Sequence, residues 1–377
     1  IGITGTNGKT STTLILKDIL EADGKKVIQI GTLGIIPKIQ SLDFSLTTPD
    51  PVSLFQVLHY AVEEKFDYAV LEVSSHALSQ NRVDSIVFDS VGFTNLTLDH
   101  LDYHKSLDNY FNDKKKLFGL IKEGNNPLIL SDTDYGKAIC KDYPNSKTVS
   151  LDNSDADYFC EDISINQDGI TGIIHSKDSS VQINSMLIGR YNLENILLAS
   201  SIALEIGIQQ SSIEQGIKNC DYIDGRNENI SQPEWPDIIV DYAHTPDAYR
   251  NMLSSIKEIY PDKTIKVLFG AGGNRDQSKR PEMAKAVQEF ADVAYLVPDN
   301  PRFEDINKIN NDVISGFSKD MFQVFDNRKD GLLVALENLD SNDILIIFGK
   351  GNEKFQEING EKLHYSDREI IEDFYAN

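Results

Sequence analysis

The apolar positions of the chain form short runs set between stretches of helical period. Leu14, Ile15, Ile19 and Leu20 repeat at helical spacing and predict a helix over residues 11–22. Val27-Ile28-Gln29-Ile30 is a short apolar run of the kind that forms a buried strand. Residues 68–73 and 90–94 are two more, and residues 51–64 carry a helical pattern between them. Alternating strands and helices predict an α/β fold, with a mostly parallel sheet covered by helices on both faces. Residues 151–185 break the alternation. Short β-type pieces at 170–175 and 181–183 lie among Asp, Asn, Ser and Gly, and predict a small antiparallel excursion before a helix over 192–206. Polar turn residues from 221 to 236 mark a domain boundary. A second α/β pattern follows, with strands expected at 238–240, 265–269, 293–297 and 344–348. The chain is thus expected to hold two domains, residues 1–223 and 224–377.

Composition narrows the partners. Of 377 residues, 40% are hydrophobic and 25% charged, the balance of an ordinary globular protein. No run approaches the ~18 apolar residues of a membrane span, so no membrane partner is expected. The net charge of −23 argues against a nucleic-acid partner, because Lys and Arg dominate binding to phosphate backbones. A small anionic substrate remains open, since clusters such as Arg275, Lys279 and Arg280 can be positive within an acidic surface. Cys140, Cys160 and Cys220 lack metal-type spacing and read as reduced thiols of a cytoplasmic protein.

The candidate chemistry begins at Thr4-Gly5-Thr6-Asn7-Gly8-Lys9-Thr10, a variant of the phosphate-loop pattern G-x-x-x-x-G-K-[ST]. Its first glycine is missing: Ile3 stands there. Backbone N–H groups of such a loop wrap phosphate oxygens, Lys9 would reach the β- and γ-phosphates, and Thr10 would ligate Mg²⁺. The alternative is a glycine-rich turn with an incidental lysine. Glu72 closes an apolar strand, where ligands collect in parallel sheets, and a carboxylate there suits Mg²⁺. Capping the next helix is an equal alternative for it. His76 alone reads as a structural hydrogen-bonder. Lys114 lies in a lysine run; for Lys115 and Lys116 the reading is a solvated helix face.

Taken in order, these segments resemble the Mur ligases, ATP-dependent amide-forming enzymes of peptidoglycan synthesis. The resemblance covers nearly the whole chain. It rests on the loop, Thr47-Thr48-Pro49, Glu72–His76 with Gln80 and Arg82, the segment from Asn95 to His104, Lys114, Asn192 and Asn195, and Gly225-Arg226. It continues through Asp241-Tyr242-Ala243-His244-Thr245-Pro246, residues 269–280, 299–305 and 349–353. The chain is most similar to the branch that adds the third peptide residue. The family's own loop is T-G-T-N-G-K-T, which accounts for the missing glycine.

The resemblance implies a central phosphate-loop ATPase domain with a mostly parallel sheet, followed by a Rossmann-like α/β domain that binds the amino acid. It implies ATP contacts at Gly5, Thr6, Asn7, Gly8, Lys9, Thr10, Asn95, Asn195 and Arg226, with Asp241 on the ribose. Thr10, Glu72, His76 and Lys114 would hold Mg²⁺, Lys114 as a carbamate formed with CO₂. Thr47, Thr48, Ser74, Gln80 and Arg82 would bind the UDP-muramoyl dipeptide. The incoming amino acid, expected to be meso-diaminopimelate, would meet Arg275, Asp299, Asn300, Arg302, Gly349 and Glu353. Arg302 and Arg275 suit carboxylates and Glu353 an ammonium; a surface ion pair is the alternative for Arg302. Lys9, Glu72, His76 and Lys114 would serve catalysis, by way of an acyl phosphate, in a monomer.

Three departures from the family pattern stand out: Ile306 where a proline is usual, Asn352 in place of a histidine, and Asp224 and Asn227 around Gly225-Arg226. The family's N-terminal uridine-binding domain is expected to be missing ahead of Ile1. A folylpolyglutamate- or cyanophycin-type ligase is the rival enzyme, and a nucleotide-binding module without catalysis the rival of another class. Residues 47–49, 72–76 and 299–302 argue against the first; Lys9, Glu72 and Lys114 argue against the second.

Overall fold

The computed structural model describes residues 1–376 apart from Ser41, Asp43, Ser45, Pro233 and Glu234. Those last two, part of the expected 221–236 boundary, lie outside the described residues. The chain divides into two compact units, Ile1–Thr97 with His104–Asp221, and Leu98–Tyr103 with Tyr222–Asn377.

The first unit is built on ten strands: β1 (Gly2–Thr4), β2 (Val27–Gly31), β3 (Gly34–Ile36), β4 (Tyr68–Glu72), β5 (Val91–Phe93), β6 (Leu128–Leu130), β7 (Lys147–Ser150), β8 (Tyr158–Asn166), β9 (Gly169–Ser176) and β10 (Ser180–Ser185). Their order is β10-β9-β8-β7-β6-β5-β1-β4-β2-β3. Strands β2, β4, β1, β5, β6, β7 and β8 pair in parallel, and β3, β9 and β10 add antiparallel edges. The central strands are buried on both faces, as a parallel sheet between helices requires. Ile3, which replaces the loop's first glycine, is fully buried in β1. The predicted antiparallel excursion is not set apart. Register of β7 with β8, Val149 opposite Tyr158, joins β8–β10 to the main sheet.

The second unit adds β11 (Glu228–Asn229), β12 (Asp237–Asp241), β13 (Thr264–Phe269), β14 (Val293–Leu296), β15 (Phe322–Val324) and β16 (Asp343–Phe348), in the order β11-β12-β16-β13-β14-β15. All neighbours are parallel except β11 with β12. A hairpin of β17 (Phe355–Ile358) and β18 (Glu361–His364) follows. Its core packs Ile238, Val240, Leu268, Leu345 and Ile347 against Leu332 and Leu336 of the helix Arg328–Glu337. Among the described residues no helix is long and apolar enough to cross a membrane.

Candidate active site

Four neighbouring strands of the first unit end on polar residues. The loop follows β1, Thr32 follows β2, Glu72 ends β4 and Thr94 follows β5. Ligands of open α/β sheets bind beyond these carboxyl ends.

The loop's shape is set by close approach. A Cβ at Gly5 would lie 1.8 Å from Thr94 Oγ1, and one at Gly8 2.4 Å from Asn195 Oδ1, with φ of +151° and +86°. Only glycine fits either place. Asn95 holds the loop through two bonds, its carbonyl accepting from Thr6 N (2.8 Å) and its Oδ1 from Asn7 N (2.9 Å). Thr94 Oγ1 donates to Asn7 O at 2.6 Å. Asn195 Oδ1 accepts from Thr12 Oγ1 at 3.2 Å, below the loop. Lys9 curls over the loop, and its Nζ donates to Gly5 O and Thr6 O, both at 2.9 Å. The helix Lys9–Ala22 starts at Gly8 without a side-chain cap and without an acidic residue in its first turn. Its positive end is thus left for an anion.

Glu72 is 1% exposed, yet among the described residues no basic side chain pairs with it. Three donors hold it: Thr10 Oγ1 at 3.0 Å, Thr32 N at 2.9 Å and Thr32 Oγ1 at 3.1 Å. A buried carboxylate without a cation is costly, and here it meets the hydroxyl of the nucleotide loop. The helix Ser75–Ser79 is capped by Ser74, whose Oγ accepts from Ala77 N, so the capping alternative for Glu72 is excluded. Among the described residues no group of three His, Cys, Asp or Glu forms a metal cage. The oxygen set of Thr10 and Glu72 fits the alternative way of binding Mg²⁺, with few protein ligands and bound phosphates completing the shell.

Lys114 is 1% exposed. Its Nζ donates to Gly5 O at 2.6 Å and lies 4.5 Å from the centre of the Tyr110 ring. Tyr110 OH meets Thr6 Oγ1 at 3.1 Å, and Thr6 Oγ1 accepts from Thr97 N at 3.0 Å. His104 is buried between Asp113 (2.8 Å) and Ser75 (2.9 Å), with the rings of His76 at 5.4 Å and Tyr110 at 5.0 Å. Lys115 is half-buried and pairs with Asp142; Lys116 is exposed and pairs with Asp113.

The dipeptide candidates gather on the far side of Glu72. Thr47 Oγ1 meets Thr32 Oγ1 at 3.2 Å. Thr48 Oγ1 donates to the Glu72 carbonyl at 2.8 Å and accepts from Ser74 N at 2.9 Å. Arg82 Nη1 donates to Thr48 O at 2.8 Å, and its other nitrogens hold Gln80 Oε1.

The second unit brings its candidates to the ends of β12, β16, β13 and β14. Asp241 is buried and accepts from Asn227 N and Ala243 N, each at 2.6 Å. Burial pushes its carboxyl up, against the pull of Arg226. The Arg226 guanidinium lies 4.3 Å from the Tyr242 ring centre. Burial raises the Tyr242 phenol to about 12. Gly349 N donates to Asp241 O at 3.0 Å. Asn300 Nδ2 donates to Glu353 Oε2 at 3.1 Å. Lys350, fully buried, donates to Asn300 Oδ1 (2.7 Å), Glu353 Oε2 (3.1 Å) and Phe355 O (2.7 Å), and lies 3.7 Å from Asp299. Arg302 pairs with Glu357 at 3.1 Å.

The expected basic patch is absent among the described residues. Arg275 is exposed, but Lys279 is buried against Asp99 at 3.0 Å. Arg280 is buried between Glu304 and Asp312. Spacing in sequence carried no information on which of the three faces water. Sequence reasoning also gave no role to Thr32, His104, Tyr110 or Lys350. Lys350 had a usable signal, since it sits between two glycines just past an apolar strand.

A strand, a glycine loop and an uncapped helix are how phosphate-loop nucleotide-binding proteins are made, and the first unit shares that construction. The Mur ligase middle domain matches residues 3–203, and the Mur ligase, glutamate ligase domain matches residues 225–351. The chain belongs to the Mur ligase family. It is 36% identical over 99% of its length to UDP-N-acetylmuramoyl-L-alanyl-D-glutamate--2,6-diaminopimelate ligase of Clostridium botulinum, spanning 77% of that protein. The ligase of the same name from Nostoc sp. is 38% identical over 98% of the chain and is spanned to 75%. A solved structure of a ligase of that name aligns with 100% of this chain and 77% of its own, at TM-score 0.67 and 30% identity. The folylpolyglutamate synthase of Mycobacterium tuberculosis aligns with 93% of this chain and 88% of its own, at TM-score 0.75 but 16% identity, which speaks for the fold alone.

Proposed function

We propose that this chain carries the activity of an ATP-dependent ligase that joins meso-diaminopimelate to UDP-N-acetylmuramoyl-L-Ala-D-Glu. ATP phosphorylates the terminal carboxylate of the dipeptide. The amine of the amino acid attacks the resulting acyl phosphate, and phosphate leaves. The observation that carries the reading is the position of Glu72. Its buried carboxylate bonds Thr10 of the nucleotide loop and Thr32, and its main-chain carbonyl accepts from Thr48, in the polar patch where the dipeptide is expected.

In this reading the loop amides and Lys9 hold the phosphates of ATP, and Lys9 leaves its two loop carbonyls to do so. Thr10 and Glu72, together with His76, would hold Mg²⁺, which would neutralise phosphate charge. Asn95 and Asn195 keep the loop's form; Arg226 and Asp241 take the adenosine. Lys114 carries a carbamate. Its nitrogen would keep one N–H, so the bond to Gly5 O is compatible with the modification. Thr47, Thr48, Ser74, Gln80 and Arg82 bind the dipeptide. Arg275, Asp299, Asn300, Arg302, Gly349 and Glu353 receive the amino acid, with domains 1–223 and 224–377 dividing the work. The working state is a cytoplasmic monomer.

The test is phosphate release by the natural full-length protein with UDP-N-acetylmuramoyl-L-Ala-D-Glu, offered diaminopimelate or lysine. Turnover with diaminopimelate is expected. Preference for lysine would overturn the role of Arg302, and no turnover with either would overturn the ligase reading.

A further inference from the structure

Arg302 sits at φ +53°, a left-handed conformation that side-chain-bearing residues occupy at a cost. The hairpin β17–β18 holds it there. Arg302 N donates to Glu357 O at 3.0 Å, and Asn359 N donates to Arg302 O at 2.7 Å. The hairpin also ties down the residues just before: Gln356 Nε2 donates to Asp299 O at 2.6 Å, and Glu357 N to Asn300 Oδ1 at 2.8 Å.

The guanidinium follows the same pattern. Its Nε donates to Glu357 Oε2 at 3.1 Å; its Nη1 donates to Gly273 O at 2.8 Å and more weakly to Asn300 O at 3.4 Å. It lies over Gly272, where a Cβ would be 3.1 Å from Nη1. A guanidinium offers five N–H groups in a fixed fork. Among the described residues nothing bonds Nη2. A carboxylate grips arginine through two adjacent N–H groups, either on the Nη1–Nη2 edge or on the Nε–Nη2 edge. The first edge is closed by two main-chain carbonyls that belong to the loops themselves. The second is covered only at Nε, by the side chain of Glu357, which is 26% exposed.

We propose that Glu357 is a specificity-determining residue: its carboxylate holds Nε of the Nε–Nη2 edge of Arg302, and a second carboxylate on the incoming amino acid must displace it to bind both nitrogens. The inference rests on the reading of Arg302 as the partner of that carboxylate. Displacement replaces one ion pair by another, so a diacid restores what it breaks. Lysine brings no second carboxylate and leaves the Arg302–Glu357 pair closed. Glu357 therefore sets a cost that falls on a diacid alone, because only a second carboxylate has to open the Arg302–Glu357 pair.

The experiment is steady-state phosphate release by the natural full-length protein and its E357Q variant, with meso-diaminopimelate and with L-lysine as the amino acid. Glutamine still accepts from Nε but carries no charge. The KM for diaminopimelate is expected to fall about two- to fivefold, the range of a partly exposed ion pair. The KM for lysine should not fall, and the KM for ATP should be unchanged. E361Q, on the exposed strand β18, serves as control and should behave as wild type. A raised KM for diaminopimelate in E357Q would make Glu357 a mere support and overturn the inference. So would an equal change for both amino acids. A wild-type protein indifferent to the second carboxylate would overturn the reading of Arg302 itself, and this inference with it.

Discussion

The Nζ of Lys114 donates to the carbonyl of Gly5 at 2.6 Å, so a helix lysine is buried against the start of the nucleotide loop. A lysine serving only as a strut would tolerate replacement by methionine with modest loss. A carbamate-bearing lysine would not. K114M is expected to lower kcat about 100-fold or more, the scale of one lost electrostatic group in a site. Growth of the wild type with ¹³C-labelled bicarbonate should give a carbamate carbon signal in NMR that K114M lacks. A wild type without that signal would rule the modification out.

Glu72 offers a second test. In E72Q the buried charge disappears, but an acceptor for Thr10 or Thr32 remains. The Mg²⁺ concentration for half-maximal activity should rise about tenfold or more. The melting temperature should hold or rise, since removing an unpaired buried charge is not destabilising. An unchanged Mg²⁺ requirement would remove Glu72 from the metal site.

Glu304 predicts a pH dependence. The hydrogen bond from Arg280, against the cost of burial, lowers its carboxyl from 4.5 to about 2. The folded value lies below the unfolded one, so its stabilising contribution is complete above pH 4.5 and drains away as the pH falls towards 2. E304Q should melt below wild type at neutral pH, and the gap should close across that window. A gap that stays constant would contradict the assignment.

Asp241 sets two effects against each other. Burial raises its carboxyl, so removing the charge relieves a cost. But its two oxygens accept from Asn227 N and Ala243 N, and in D241N an NH₂ would face one of these donors. Leaving a buried donor unsatisfied costs about 1–3 kcal/mol, which outweighs the relief. D241N is expected to lose stability by that amount in chemical denaturation and to raise the KM for ATP. Stability equal to wild type would show that the two backbone bonds matter little.

What could be read from the sequence was whatever depends on local residue type. The loop from Thr4 to Thr10 has to be small and glycine-bearing wherever it occurs, and Glu72 declared itself by ending an apolar run. The central strands stood out because burial on both faces leaves them uniformly apolar. Thr32, Tyr110 and His104 gave no such signal: their parts depend on contacts such as Thr6 with Tyr110, 104 positions apart. The strands β8–β10 looked separate because they alternate with polar residues, as edge strands with one wet face do. Arg280 and Lys279 looked like surface charge because their acidic partners, Glu304 and Asp99, lie 24 and 180 positions away.

Arg302 and its neighbours owe their positions to main-chain and side-chain hydrogen bonds with a hairpin more than 50 residues further on. A chimera that exchanged only residues 298–304 with a relative of different amino-acid preference would separate a loop from the template that shapes it. If Arg302 selects the amino acid as proposed, the heritable unit of selectivity is the pair of segments, 298–304 and 355–359. Attempts to retune the enzyme by recombination should move them together.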